Sequence, residues 1–219
     1  MNLEIDRYLG EVKSAIDGLP ETRIEAVVQL LWQAYLEERQ VFIIGNGGSA
    51  ATASHFACDL SKSTIRAGMG RFRVIALTDN VPLITAWAND SSYENVFAEQ
   101  LCNLMNEGDL LIAISGSGNS PNILKAVQVA GSMRAATIGF TGFIGGKLKD
   151  MVDLCVVVPS NCMAQIEDVH LILEHAISTC LGEVIASEGG ISGSRRSNKR
   201  EPSRPREEVG GVPVPAGSL

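Results

Sequence analysis

The sequence predicts an α/β domain built on a parallel sheet with helices covering both faces. Three observations carry this: five short apolar runs rich in β-branched residues, a glycine or polar turn after each, and a longer stretch of helical spacing after each turn. Ligands of such sheets bind at the carboxyl ends of the strands, which is where these turns fall.

Residues 1–40 are expected to form two helices. Leu9, Val12, Ala15 and Ile16 recur at helical spacing, as do Ile24, Val27, Val28, Leu31 and Trp32, and the "LPET" at 19–22 separates the two patterns. The first strand, "QVFIIG" at 40–45, leads into a helix over 49–62. "RVIALTD" leads into a helix from 81 to 90 and beyond, and "DLLIAISGSGNS" into one over 120–132. "ATIGFTG" precedes a short helix near 145–150, and "LCVVVPS" a long one from about 163 to 186. From Gly189 onward there is no aromatic residue, and four prolines and clustered charges replace the aliphatics. Such a segment cannot bury enough apolar surface to offset its ordering entropy, so residues 1–188 are expected to form the domain and 189–219 a disordered tail.

Composition narrows the function classes. The net charge of -7 gives no global attraction to nucleic acid or anionic membrane, so any recognition of phosphate must be local. No nucleic-acid or membrane partner is expected. The five cysteines (Cys58, Cys102, Cys155, Cys162, Cys180) form no CxxC pair, which argues against a disulfide framework and a thiolate zinc site; most are expected to be small buried residues. No apolar run reaches the roughly 18 residues of a membrane span, and the first residues are charged, so a cytoplasmic location is expected.

Two strand ends carry similar turns, "GNGGSA" at 45–50 and "SGSGNS" at 115–120. Glycines let backbone amides approach a ligand, and the following helix start leaves N–H groups unpaired. Ser115, Ser117 and Ser120 add hydroxyl donors around one turn. Neither turn has the Lys-Ser/Thr ending of a nucleoside triphosphate loop, and neither reads GxGxxG, so a phosphomonoester fits better. His55 and Asp59 stand four apart on one helical face; Glu167, His170 and Glu174 form one ridge of the last helix, with His175 beside it.

"IIGNGGSAATASHFACDL", "AWAND", "AISGSGNSPNILKA", "TGFIGGKL" and "AQIEDVHLILEHAI", in this order, resemble the sugar isomerase (SIS) domain family, and within it the phosphoheptose isomerases, up to about residue 187. The resemblance implies a three-layer, flavodoxin-like fold with a five-stranded parallel sheet. It also implies a homotetramer with its N-terminal helices at the centre and active sites shared between subunits. It implies a substrate site made of Asn46, Gly47, Gly48, Ser49, Asn89, Asp90, Ser115, Gly116, Ser117, Ser120 and Glu167. His55, Asp59, Glu167 and His175 fall on positions that hold zinc in some members, so one Zn2+ per subunit is expected. Asp59 falls on the family's catalytic glutamate, and with His175 it forms the expected base and acid.

The sequence departs from the family pattern at several of these positions. Gly116 replaces a usual threonine, Glu167 a glutamine, and Asp59 is one methylene short of glutamate; Lys62 stands beside the position where an arginine is expected to reach the substrate. The activity implied is aldose–ketose isomerisation of a sugar phosphate, sedoheptulose 7-phosphate to D-glycero-D-manno-heptose 7-phosphate, through an enediol. A non-catalytic phosphosugar sensor or a DiaA-like interaction scaffold is the alternative; neither has need of the Asp59 and His175 pair.

Overall fold

The computed structural model describes residues 2–195, with side chains described up to residue 188. Two helices, α1 (Asn2–Asp17) and α2 (Glu21–Leu36), precede β1 (Gln40–Gly45) and α3 (Gly48–Lys62). β2 (Arg73–Ala76), α4 (Val81–Asp90), a 3-10 turn at Tyr93–Asn95 and α5 (Ala98–Leu104) follow. The chain continues through β3 (Leu110–Ile114), α6 (Pro121–Ser132), β4 (Ala136–Thr141), α7 (Leu148–Met151), β5 (Leu154–Val157) and α8 (Met163–Arg195). All five strands are parallel, in the order β2-β1-β3-β4-β5.

The alternation of a strand's side chains builds the layers. Val41 and Ile43 of β1 join Leu110 and Ile112 of β3 on one face, under Leu31 of α2, Phe56 and Leu60 of α3, and Leu173 and Ile177 of α8. Phe42, Ile44, Leu111 and Ala113 face the other way, against Leu101 of α5 and Ile123 and Val127 of α6. Burial on both faces explains why these strands read as unbroken apolar runs rather than as alternations.

Three expectations need correction. α8 continues to Arg195, past the expected boundary at 188; the rest of the expected tail, 196–219, lies outside the described residues. By length and composition Met163–Glu188 of α8 is apolar enough to cross a membrane, but half of that stretch is buried within the fold, and its hydrophobicity is that of a core helix. Only Cys155 is buried; Cys58, Cys102, Cys162 and Cys180 are free thiols on exposed positions, because outward helical faces carry most of them.

Candidate active site

Strand order changes direction between β1 and β3, so their neighbouring connections leave on opposite sides and a crevice opens at their carboxyl ends. Both glycine–serine turns lie there. A side chain on Gly45 would run into the backbone of Ser49, and Gly47 has φ +55°, so the first turn closes this tightly only with glycine at both positions. In the second turn Gly118 has φ +64°, and its N–H donates to the Ser115 carbonyl at 2.9 Å. Pro121 starts α6, and the Ser120 hydroxyl does not cap that helix, which leaves the hydroxyl available to a ligand; Pro121 has no N–H to offer, and the Ile123 N–H donates to the Ser120 carbonyl at 3.0 Å.

Between the turns is a cleft of about 150 Å³ lined by Asn46, Ser49, Ser115, Gly116, Ser117 and Ser120, with Met163 and Glu167 contributed by α8. Ser115 and Ser120 place their hydroxyl oxygens 3.5 Å apart. Asn46 and Asn122 exchange two amide hydrogen bonds of 2.9 Å each, and the Tyr93 hydroxyl donates to Asn46 Oδ1 at 2.9 Å. Sequence reasoning assigned no role to Asn122 or Tyr93. Asn122 carried one signal, a polar residue on the buried face of a helix's first turn. Met163 was also missed. A Cβ at residue 116 would fall on the Met163 sulfur, so Met163 fills the space that the expected threonine side chain would take.

The structure brings seven of the expected substrate contacts to this cleft: Asn46, Ser49, Ser115, Gly116, Ser117, Ser120 and Glu167. Gly47 and Gly48 form the turn itself. Asn89 and Asp90 are placed elsewhere, exposed in the last turn of α4, where Asn89 Nδ2 donates to Asp90 Oδ1 at 2.8 Å. Lys62 is exposed at the far end of α3 from the cleft.

Glu167 is the main displacement from the expected metal set. Its carboxylate points at the start of α3, so close that a Cβ on Gly48 would lie 2.6 Å from its Oε2. The unpaired amides of that first turn favour a negative group there. His55, Asp59 and His175 do come together, and the carboxylate that joins them is Glu174. Ligand atoms of these four residues lie within 4.8 Å of one another. The two histidines meet Nε2 to Nε2 at 3.3 Å, with their rings edge to face. Asp59 Oδ2 is 3.8 Å from His175 Nε2, and Asp59 Oδ1 is 3.9 Å from His55 Nε2.

Glu174 is fully buried, and neither of its oxygens has a hydrogen-bond partner. Burial, reinforced by the charge of Asp59, pushes its carboxyl up to about 8. Two imidazole nitrogens that can share only one proton and a buried carboxylate without donors make a set that a divalent cation satisfies. One turn before, His170 is also buried; its Nε2 lies 3.1 Å from the Thr141 carbonyl, and burial pulls its pKa down to about 4. It is a neutral strut of the sheet and no part of the cluster.

A doubly wound parallel sheet with two serine–glycine turns at its switch point defines an open α/β domain with a polar cleft at its strand ends. Residues 7–142 match the SIS domain family. A phosphoheptose isomerase of Aliarcobacter butzleri is 44% identical over 140 residues, covering 63% of this chain and 72% of the relative. A phosphoheptose isomerase of Roseiflexus sp. is 36% identical over 186 residues, covering 82% and 94%. The solved phosphoheptose isomerase of Francisella tularensis superposes with a TM-score of 0.78 at 30% identity, covering 84% of this chain and 99% of that one. The chain belongs to the SIS domain family, among its phosphoheptose isomerases.

Proposed function

We propose that this protein is an aldose–ketose isomerase that converts sedoheptulose 7-phosphate to D-glycero-D-manno-heptose 7-phosphate. The observation that carries the reading is the spacing of two sites on one pair of helices. Ser49 and Glu167 line the cleft, while His55 lies six residues further along α3 and His175 eight residues further along α8. At 1.5 Å per residue, these steps put the acid–base cluster about 9–12 Å from the cleft. An extended seven-carbon sugar phosphate is roughly 10 Å long by ordinary bond lengths. The cleft, at about 150 Å³, is smaller than the 300 Å³ or more that a whole ligand of this kind commonly fills, which suits it to the phosphate end.

In this reading the phosphate sits in the 115–120 turn, on the serine hydroxyls and the start of α6, while Glu167 and Asn46 accept and donate hydrogen bonds to sugar hydroxyls. Asp59 takes the proton from one carbon and returns it to its neighbour, and His175 moves the second proton between the two oxygens. A divalent cation on His55, Asp59, Glu174 and His175, which we take to be one Zn2+ per subunit, would polarise the carbonyl, the task that His175 performs through Nε2–H in its absence. The pairing of Asp59 with His175 favours an enzyme over a sensor or scaffold, which needs only the cleft.

The protein is further taken to act in the cytoplasm as a homotetramer with sites shared between subunits. Support for self-association comes from Leu3, Ile5 and Leu9 of α1, exposed at 85%, 56% and 60%, and from α4, which buries none of its residues.

Incubation with sedoheptulose 7-phosphate in deuterated water tests the activity. The protein should place deuterium on carbon, and Asp59→Asn or His175→Ala should slow this by about a hundredfold or more while phosphate binding persists. Exchange at the unaltered rate in either variant removes that residue from the mechanism; no exchange by the parent protein removes the activity.

A further inference from the structure

We propose that Asn122 and Tyr93 are positioning residues for Asn46, turning its amide into a donor aimed at a hydroxyl oxygen of the sugar. The proposal rests on the reading of the cleft as a sugar-phosphate site; the network itself rests on geometry. Asn46 stands between Gly45 and Gly47 in the first turn, and Asn122 lies in the first turn of α6, directly after the second. Their amides meet head to head, Asn46 Nδ2 donating to Asn122 Oδ1 and Asn122 Nδ2 to Asn46 Oδ1, both at 2.9 Å. A backbone group decides which way round the pair sits. The Ile123 N–H also reaches Asn122 Oδ1 at 3.0 Å, and since a backbone N–H can only donate, the atom it meets must be the oxygen. That orients Asn122, Asn122 orients Asn46, and the Tyr93 hydroxyl is left as the donor to Asn46 Oδ1 at 2.9 Å.

The donors and acceptors then leave Asn46 with one role. Its oxygen accepts from Asn122 and from Tyr93, which fills both lone pairs, and one of its two amide hydrogens is held by Asn122. The other hydrogen remains, and Asn46 lines the cleft, whereas Asn122 is 2% exposed behind it. With the phosphate on the serine hydroxyls of the second turn, what lies before Asn46 is the sugar chain. Asn46 offers that chain a donor and no acceptor, which complements Glu167, whose ionised carboxylate only accepts. The pair also bridges the two turns, just beyond the last rung of the β1–β3 ladder at Gly45 and Ile114. Buried amides satisfied on both sides hold this spacing tightly, because losing either partner strands a polar group out of water.

Titration calorimetry of the full-length protein with sedoheptulose 7-phosphate, and separately with inorganic phosphate, tests this. Asn122→Ala should weaken binding of the sugar phosphate about 3–10-fold, the size of one lost hydrogen bond, and leave inorganic phosphate within about twofold of the parent. Tyr93→Phe removes a hydroxyl from a side chain that is 55% exposed, and so covers the case in which the alanine variant fails to fold. It should show the same split at about 2–5-fold. Asn46→Ala should lose at least as much as Asn122→Ala. The double variant of Asn46→Ala with Asn122→Ala should bind no more weakly than Asn46→Ala alone, because Asn122 acts through Asn46. Parent-like sugar-phosphate binding in both Asn122→Ala and Tyr93→Phe overturns the proposal. Equal losses for the two ligands, which mark a cleft that has merely collapsed, do the same, as does an additive double variant. A parent that binds neither ligand overturns it together with the sugar-phosphate reading of the cleft. If the split holds while the parent places no deuterium on carbon, the isomerase reading falls and the positioning role stands.

Discussion

Gly116 and Met163 share one volume. The expected threonine at 116 cannot coexist with the methionine sulfur, so the hydroxyl it would offer a phosphate is exchanged here for a thioether at the edge of the cleft. Restoring the family residue alone is therefore predicted to do harm. Gly116→Thr should destabilise the protein by about 1–3 kcal/mol through overpacking and raise the KM for the sugar phosphate, and Gly116→Thr with Met163→Ala should recover much of both. Denaturant melts and steady-state kinetics on the two variants check this; additive effects would show that the residues do not share a site. Asp59 is a comparable case. Its carboxylate is about one bond length shorter than the expected glutamate, yet it still comes within 3.8 Å of His175, because α3 and α8 pack side by side.

At the scale of elements, α8 concentrates the chemistry on one buried stripe, with Ile166, His170, Leu173, Glu174 and Ile177 all within the fold. His170 gives that stripe a pH dependence. Its pKa in the fold is about 4 against an ordinary 6.5, so between these values the unfolded chain binds more protons. Its contribution is complete above pH 6.5 and is lost as pH falls toward 4, on the order of 3 kcal/mol in all. His170→Gln, whose amide can still donate to the Thr141 carbonyl, should flatten the acid decline in unfolding free energy relative to the parent. Parallel declines in chelator-treated protein would refute the assignment.

The elements themselves were legible in the sequence, because buried parallel strands leave apolar runs and glycines mark their ends. The cleft was legible for the same reason, as turns fixed to strand ends. What the sequence could not separate was Glu167 from Glu174. Seven residues apart, they fall on the same helical stripe, and only the line along which α3 crosses α8 decides which one faces the histidines. The exposed cysteines escaped for a related cause, since residue type does not say which side of a helix faces solvent.

For the molecule as a whole, the apolar residues left outside the core set the next prediction. With Leu3, Ile5 and Leu9 exposed on α1, the protein should sediment as a tetramer, and Leu9→Glu should shift it to smaller species. A monomeric parent would contradict this. The facing imidazoles of the cluster add a consequence of a different kind, for they come from positions 120 residues apart. An ion held between them would clasp the chain into a loop that contains β2 through β5, with α8 as the closing arm. Stripping such an ion would unfasten that arm before it disturbs the sheet. Limited proteolysis after chelation should accordingly nick α8 first and leave the strands as a resistant fragment.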